Sequence, residues 1–292
     1  ILEDLSRTSV DAVIVVVEND KRKNLTFDQP NIIYDNEPEI GIPFARNRAV
    51  ELALHQGADW VAFIDDDETV QPGWMTAMLR AIDELDADAL VGPVRELLPA
   101  TPPAWWKSKF RNRAHGDRRD TAATNNTLVR SSWFENGYRG EGLGAGPDVG
   151  MMFNEAMRHT GGSDNEFFYR MTAAGGVIRW VSDALVYEDV PIERMTMRWA
   201  LARKMRVQSN WARMQLEQYG IAAAMVRSVP KLVFGLLAAP LALAVALMAL
   251  PFARRGISRT AFRGLKAAAS CLGVIRGLIG WYPQPYRSVE GF

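Results

Sequence analysis

The chain has 292 residues, 48% of them hydrophobic, which is enough for one large or two small domains with a real core. Lys plus Arg equals Asp plus Glu at 34 each, so no global field directs it toward nucleic acid or an acidic partner, although the last third is rich in Arg and poor in acids. The single cysteine, Cys271, excludes an internal disulfide and fits a reducing compartment, and residues 1–11 lack the basic start and apolar core of a signal peptide.

Residues 10–17, Val-Asp-Ala-Val-Ile-Val-Val-Val, are rich in β-branched side chains and run into Glu18-Asn19-Asp20-Lys21, which predicts a buried strand with acids at its C-terminal end. A short strand is expected at 31–34. Gly41-Ile42-Pro43 then opens a helix over 44–56, stopped by Gly57. Arg46, Asn47 and Arg48 fall near its start, where cations oppose the helix dipole unless an anion such as a pyrophosphate lies nearby. Simple exposure of these Arg side chains is the plainer alternative.

The next apolar run, 60–64, is followed at once by Asp65-Asp66-Asp67-Glu68. Ligands of open α/β sheets bind at the C-terminal ends of the strands. Carboxylates packed together there take up a proton unless a cation compensates them. An all-oxygen set of this kind suits Mg²⁺ or Mn²⁺. The alternative is a solvated loop in which Thr69 or Asp67 caps the helix expected over 72–85; capping needs one carboxylate, not three.

A strand is expected at 89–94, an irregular stretch at 101–120, a strand at 124–129 and a glycine-rich loop at 133–150. Trp105 and Trp106 read as core or as an exposed sugar or lipid contact. Gly161-Gly162 turns into a helix capped by Ser163 or Asp164 and running to 174, after which 177–186 reads as a strand. A basic helix with Arg198, Arg203, Lys204 and Arg206 is expected over 195–219. Strands alternating with helices predict α/β architecture with a mainly parallel sheet. Residues 232–252 carry no charge over about the length that crosses a bilayer, although Pro240 interrupts them. Arg227 and Lys231 precede this stretch and Arg254, Arg255 and Arg259 follow it. Cations on both sides fit a re-entrant hairpin or a helix pair with cytoplasmic ends, residues 261–282 forming the second arm. A buried hairpin or dimer interface is the competing reading.

Four stretches, Val15-Val16-Val17-Glu18-Asn19-Asp20, Ala45-Arg46-Asn47, Phe63-Ile64-Asp65-Asp66-Asp67-Glu68 and Gly161-Gly162-Ser163-Asp164-Asn165-Glu166-Phe167-Phe168, follow one another as in family 2 glycosyltransferases. Over roughly 10–206 the chain resembles that family, and within it the bacterial exopolysaccharide, succinoglycan-type branch. The resemblance implies a GT-A (Rossmann-like) domain over 1–220, with a mixed, mainly parallel sheet flanked by helices, and a helical membrane-associated region over 221–292. It implies an inverting glycosyltransferase of cell-surface or exopolysaccharide synthesis at the cytoplasmic face of the bacterial inner membrane. Its donor would be a nucleotide-diphosphate sugar and its acceptor a saccharide or lipid-linked saccharide, with membrane association through 232–282 and no nucleic acid.

By the same resemblance Asp65 and Asp67 hold Mn²⁺ or Mg²⁺, and Asp66 lies near the ribose or donor sugar. Asp164 is the general base, with Glu166 as the alternative. Glu18 and Asp20 face the nucleoside, Arg46 the nucleotide and Arg194 the diphosphate; Asn126 lies toward the acceptor. Three departures stand out. Ser163 replaces the acid that usually precedes the base, Tyr187-Glu188 stand where a histidine is common, and the family's opening strand is missing before residue 10. Two competing readings remain at this point. One is a degenerate, non-catalytic glycosyltransferase-like scaffold. The other is a haloacid-dehalogenase-type phosphatase with Asp65 as nucleophile and Asp67 as acid/base.

Overall fold

A single helical turn, Leu2–Leu5 (α1), precedes the parallel pair Ile14–Glu18 (β1) and Ile32–Asn36 (β2), in which Ile14 lies opposite Ile32 and Glu18 opposite Asn36. The computed structural model describes residues 2–8, 10–99, 101–108, 110–111, 113–135, 150–249, 254–282 and 284. Most of the glycine-rich loop expected at 133–150 therefore lies outside the described residues. Helix Ile42–His55 (α2) follows, and then Trp60–Phe63 (β3), Glu68–Val70 (β4), Trp74–Glu84 (α3), Ala89–Val91 (β5) and Val94–Leu97 (β6). The short Arg118–Arg119 (β7), Thr127–Arg130 (β8), Ser163–Ala173 (α4), Ile178–Trp180 (β9) and Val186–Asp189 (β10) complete the sheets.

The strands form a five-stranded sheet ordered β3-β8-β5-β9-β7 and a three-stranded sheet ordered β4-β10-β6, besides the β1-β2 pair. The sheets are mixed and flanked by helices, as expected. Antiparallel pairing is more extensive than the alternation of strands and helices suggested: β5/β9 is parallel, but β3/β8, β5/β8, β7/β9 and β10/β4 are antiparallel. β8 enters between β3 and β5 from a non-helical stretch, so nothing obliges it to run with its neighbours.

Alternation along the strands explains why the central sheet reads as continuously apolar. Val61, Phe63, Ala89, Val91, Val129 and Ile178 face one way, against Val50 of α2 and Phe167, Phe168 and Met171 of α4. Leu90 and Leu128 face the other way, against Trp74, Met78 and Ala81 of α3. A strand covered on both faces has no polar side to show. On the first face Phe134 and Phe167 stack at 5.2 Å, and Phe153 adds a ring 4.7 Å from Phe167.

Four local expectations change. The strand expected at 89–94 is two strands, β5 and β6, broken at Gly92-Pro93, and the one expected at 177–186 is β9 and β10 with a turn between them. Helix α3 is capped neither by Thr69 nor by Asp67. Gly73 stands at the cap, and the buried Asp4 carboxylate accepts from Gly73 N (2.5 Å) and Met75 N (2.6 Å), a partner about seventy residues away in sequence. Helix α4 is likewise capped by Gly162, whose φ of 88° only glycine adopts readily, and Ser163 becomes its first residue.

The chain divides into two compact units, one of residues 1–96, 109–188 and 286–292, the other of 97–108 and 189–285. The second unit is built on Met197–Ala249 (α5) and Arg254–Leu278 (α6). α5 is interrupted at Gly220 (φ 74°, ψ 172°), and the two halves fold back on each other. Arg227 lies 3.7 Å from the Tyr219 ring and Lys231 3.1 Å from the Trp211 ring, whereas twenty residues of straight helix would place Lys231 about 30 Å away. α6 packs on both halves through glycines. A Cβ at Gly273 or Gly277 would meet Met205 O at 2.3 Å or Ser209 O at 2.4 Å, and one at Gly235 would meet Cys271 Cβ at 2.6 Å. Trp105, partly buried, packs against Phe262 of α6 at 4.4 Å within its unit. Within α5, Met197–Ala242 holds an 18-residue window apolar enough to cross a membrane, of which 17% is buried.

Candidate active site

β3 delivers the acidic residues into a tight turn. Glu68 N–H donates to the Asp65 carbonyl at 3.1 Å, and Asp65 N–H donates back to Glu68 Oε2 at 3.0 Å. Asn125 Nδ2 donates to the other oxygen, Oε1, at 3.1 Å. Both oxygens of Glu68 thus serve the turn itself. In the β4/β10 pairing Glu68 lies opposite Glu188. Burial pushes the Glu68 carboxyl up to about 7, and the charges of Asp65 and Glu188 add to the push.

Asp65 and Asp66 are exposed at the turn and Asp67 is partly buried. Loss of bulk water around Asp65 raises its carboxyl to about 6; Arg46 opposes the shift, while Asp67, Asp164 and Asp66 reinforce it. Acids from two segments about a hundred residues apart therefore share one field. Arg46 reaches between those segments. Its Nη2 stands 3.9 Å from Asp65 Oδ1, Nη1 donates to Ser163 Oγ at 3.4 Å, and the guanidinium lies 5.7 Å from the Phe153 ring centre. The next residue, Asn47, fixes that support: it donates to Phe153 O at 3.0 Å and accepts from Phe153 N at 2.8 Å. Arg48 points elsewhere, paired with Asp35 and Glu51, so of the two arginines only Arg46 faces the acids.

Asp164 sits in the first turn of α4, where the helix terminus favours a carboxylate, and its Oδ1 accepts from Asn165 Nδ2 at 3.2 Å. Glu166 is differently placed. It is buried and held by both prongs of Arg170, Nε to Oε1 at 2.6 Å and Nη2 to Oε2 at 2.9 Å, and Arg170 also donates to Met152 O. That arrangement makes Arg170, held by Glu166, a brace between α4 and the 151–153 segment.

Glu18 and Asp20 end β1. The Glu18 carboxylate accepts from the Tyr34 hydroxyl, from Asn24 N (2.8 Å) and Nδ2 (3.0 Å), and from Leu25 N (3.3 Å). The Tyr34 hydroxyl, followed by the backbone N–H of Asn24, holds it down at about 2. Asn19 ties β1 to the start of α2, donating to Glu37 O (2.9 Å) and Glu39 O (2.8 Å) and accepting from Gly41 N (2.7 Å). Asp20 accepts from Arg22 N at 3.4 Å. Arg194, in the 3₁₀ turn Ile192–Met195, belongs to the second unit.

Asn126 has a role other than the one the resemblance implied. It is fully buried with φ 62°, donates to Pro93 O (2.8 Å) and Ala184 O (2.7 Å), and accepts from Trp74 Nε1 (2.7 Å). Every donor and acceptor direction it uses goes to the fold. Sequence reasoning missed Ser163 as the partner of Arg46, Asn47 as its anchor and Asn125 as the support of Glu68. The one signal available was Ser163 standing in place of an acid.

Hard oxygen donors in excess of the nearby guanidinium suit a divalent cation that keeps waters and takes phosphate oxygens. Among the described residues no three His, Cys, Asp or Glu side chains converge as a complete cage. Asp65 and Asp67 can thus supply part of a coordination shell, which is how Mg²⁺ is commonly held beside phosphates.

The glycosyl transferase family 2 model matches residues 9–141. The succinoglycan biosynthesis protein ExoM of Rhizobium meliloti (strain 1021) is 31% identical over 265 residues, which cover 89% of this chain and 76% of that protein. The chain belongs to glycosyl transferase family 2, in its exopolysaccharide-type branch, and is a glycosyltransferase. Family membership sets aside the phosphatase reading of Asp65. Similar solved structures include S. aureus TarS 1-349 in complex with UDP-GlcNAc, 14% identical, with a TM-score of 0.46 and coverage of 96% of this chain and 87% of that one. GalNAc-T7 with UDP, GalNAc and Mn²⁺ is 14% identical with a TM-score of 0.46, covering 71% of this chain and 45% of that one.

Proposed function

We propose that the chain transfers a sugar, with inversion, from a nucleotide-diphosphate donor to a hydroxyl of a saccharide or lipid-linked saccharide during cell-surface or exopolysaccharide assembly. The observation that carries this reading is the shared field of Asp65, Asp66, Asp67 and Asp164, with Arg46 reaching between the two segments. Asp164 takes the proton from the acceptor hydroxyl as its oxygen bonds to the anomeric carbon, and the bond from that carbon to the diphosphate breaks on the opposite face. Asp65 and Asp67 would hold Mn²⁺ or Mg²⁺, which when bound would supply Lewis-acid neutralisation of the leaving diphosphate. Asp66 orients the ribose or donor sugar. Arg46 contributes a positive charge on the nucleotide side, steadied by Ser163. Glu18 and Asp20 border the nucleoside, and Arg194 serves the diphosphate. The unburied apolar run of α5 supports membrane association through 232–282, at the cytoplasmic face of a bacterial inner membrane.

The test is Asp164→Asn. Transfer from a nucleotide sugar in the presence of Mn²⁺ should fall by roughly 10²–10⁴-fold, the usual worth of a general base. Donor binding, read by calorimetry, should stay within a fewfold of wild type. Undiminished transfer would remove Asp164 from the role, and a comparable loss in Glu166→Gln without loss of folding would move the role there.

A further inference from the structure

The second unit carries a concentration of positive charge that its own residues do not neutralise. Between 197 and 282 there are thirteen Lys or Arg residues and one acid, Glu217. Arg213 takes that acid at 2.6 Å. Within this field three lysines from three helical stretches come together. Lys204 belongs to the first half of α5, Lys231 to the second half and Lys266 to α6; Lys266 is a like-charge neighbour of Lys204, and Lys204 of Lys231.

Lys204 and Lys231 are partly buried and Lys266 is exposed, and among the described residues what acts on the two partly buried ammonium groups is aromatic or repulsive. The Lys231 ammonium lies over the Trp211 ring at 3.1 Å and that of Lys266 over Phe262 at 5.2 Å. Ammonium groups withdrawn from water beside one another oppose folding unless an anion sits among them. Among the described residues no carboxylate acts on Lys204 or Lys231, and the fold nevertheless converges on this arrangement through the Gly220 reversal.

The surroundings indicate where the anion comes from. Lys231 follows Val229 and precedes Val233, Phe234 and Leu237, whose exposures are 52%, 48%, 67% and 66%, and Leu265 beside Lys266 is 46% exposed. Open apolar side chains beside desolvated cations match a molecule with a phosphate head and hydrocarbon tails. We infer that Lys204, Lys231 and Lys266 form a seat for the phosphate group of a membrane lipid. The inference rests on the membrane association proposed above and names the chemistry that the membrane presents to this unit.

The experiment is vesicle co-sedimentation of the full chain. It compares wild type with Lys204→Gln, Lys231→Gln, Lys266→Gln and the triple variant, and uses Arg263→Gln as an equal loss of charge on α6. Vesicles are either pure phosphatidylcholine or phosphatidylcholine with phosphatidylglycerol, and inorganic pyrophosphate is titrated separately by calorimetry. Wild type should bind the phosphatidylglycerol vesicles more tightly, and each lysine substitution should weaken that binding by more than the roughly fivefold that any one cation is worth at an anionic surface. Arg263→Gln should weaken it less, and binding to pure phosphatidylcholine should persist in all. Equal losses for Arg263→Gln and the lysine variants, or no preference of wild type for phosphatidylglycerol, would overturn the seat while leaving membrane association standing. Saturable lysine-dependent binding of pyrophosphate without lysine-dependent vesicle binding would overturn the lipid as the source. Binding to neither vesicle would overturn the membrane reading itself. Circular dichroism of each variant separates loss of the seat from loss of the fold.

Discussion

Arg46 and Asp65 face each other at 3.9 Å with side-chain exposures of 19% and 45%, a loose pair that a ligand can part at little cost. The carboxyl of Asp65, raised from 3.8 to about 6 by the loss of bulk water around it and by the neighbouring acids, sets a sign for the pH dependence of the metal-free protein. A folded state that holds the proton more tightly than the unfolded chain is favoured at low pH, and that advantage fades as pH rises from near 4 through about 6. The thermal midpoint of wild type should therefore fall relative to Asp65→Asn over that window in chelator-treated protein. At pH 7.5, Mn²⁺ should raise the wild-type midpoint and leave that of Asp65→Asn nearly unmoved. A constant difference between the two proteins across the window, or equal responses to Mn²⁺, would count against the site. Asp65, Asp67 and Asp164 were legible in the sequence because charge at a strand end and at a helix start is locally conspicuous. Ser163, Asn47 and Asn125 were not, since each acts through a partner far away in the chain.

Among the elements, the central strands were legible because burial on both faces leaves an unbroken apolar signature, α2 because Gly41-Ile42-Pro43 and Gly57 bound it, and α3 because its apolar positions recur at helical spacing. Breaks and caps were not. Gly92-Pro93 ends β5 under the amide of Asn126, and α3 borrows its cap from Asp4, neither of which a local window contains. Asn126 joins the β5–β6 corner, the turn before β10 and the first residue of α3. Asn126→Ala would leave Trp74 Nε1 and Ala184 O without the partner Asn126 gives them in a dry interior and take from Pro93 O one of its two donors, the other being Val186 N–H, at a cost of about 3 kcal/mol. Urea unfolding followed by tryptophan fluorescence measures this, and a loss below about 1 kcal/mol would contradict the structural role assigned to it.

For the molecule as a whole, the change of character in the C-terminal third was legible as a change of composition. The reversal of α5 was not, because a lone glycine in a helical pattern is ordinarily tolerated. Gly220 allows one 53-residue helix to become two antiparallel arms. Without the reversal the same residues would form a rod about 80 Å long. A Cβ at φ 74° is strained, so Gly220→Ala raises the cost of the bend and leaves the inter-arm contacts intact. Those contacts, Lys231 on Trp211 and Arg227 with Gln215, can then be remade between two straightened copies. The expected product is a domain-swapped dimer, detectable as a doubling of mass by light scattering at unchanged helix content. The bend at Gly220 is in that sense the molecule's guard against exchanging arms with its neighbours.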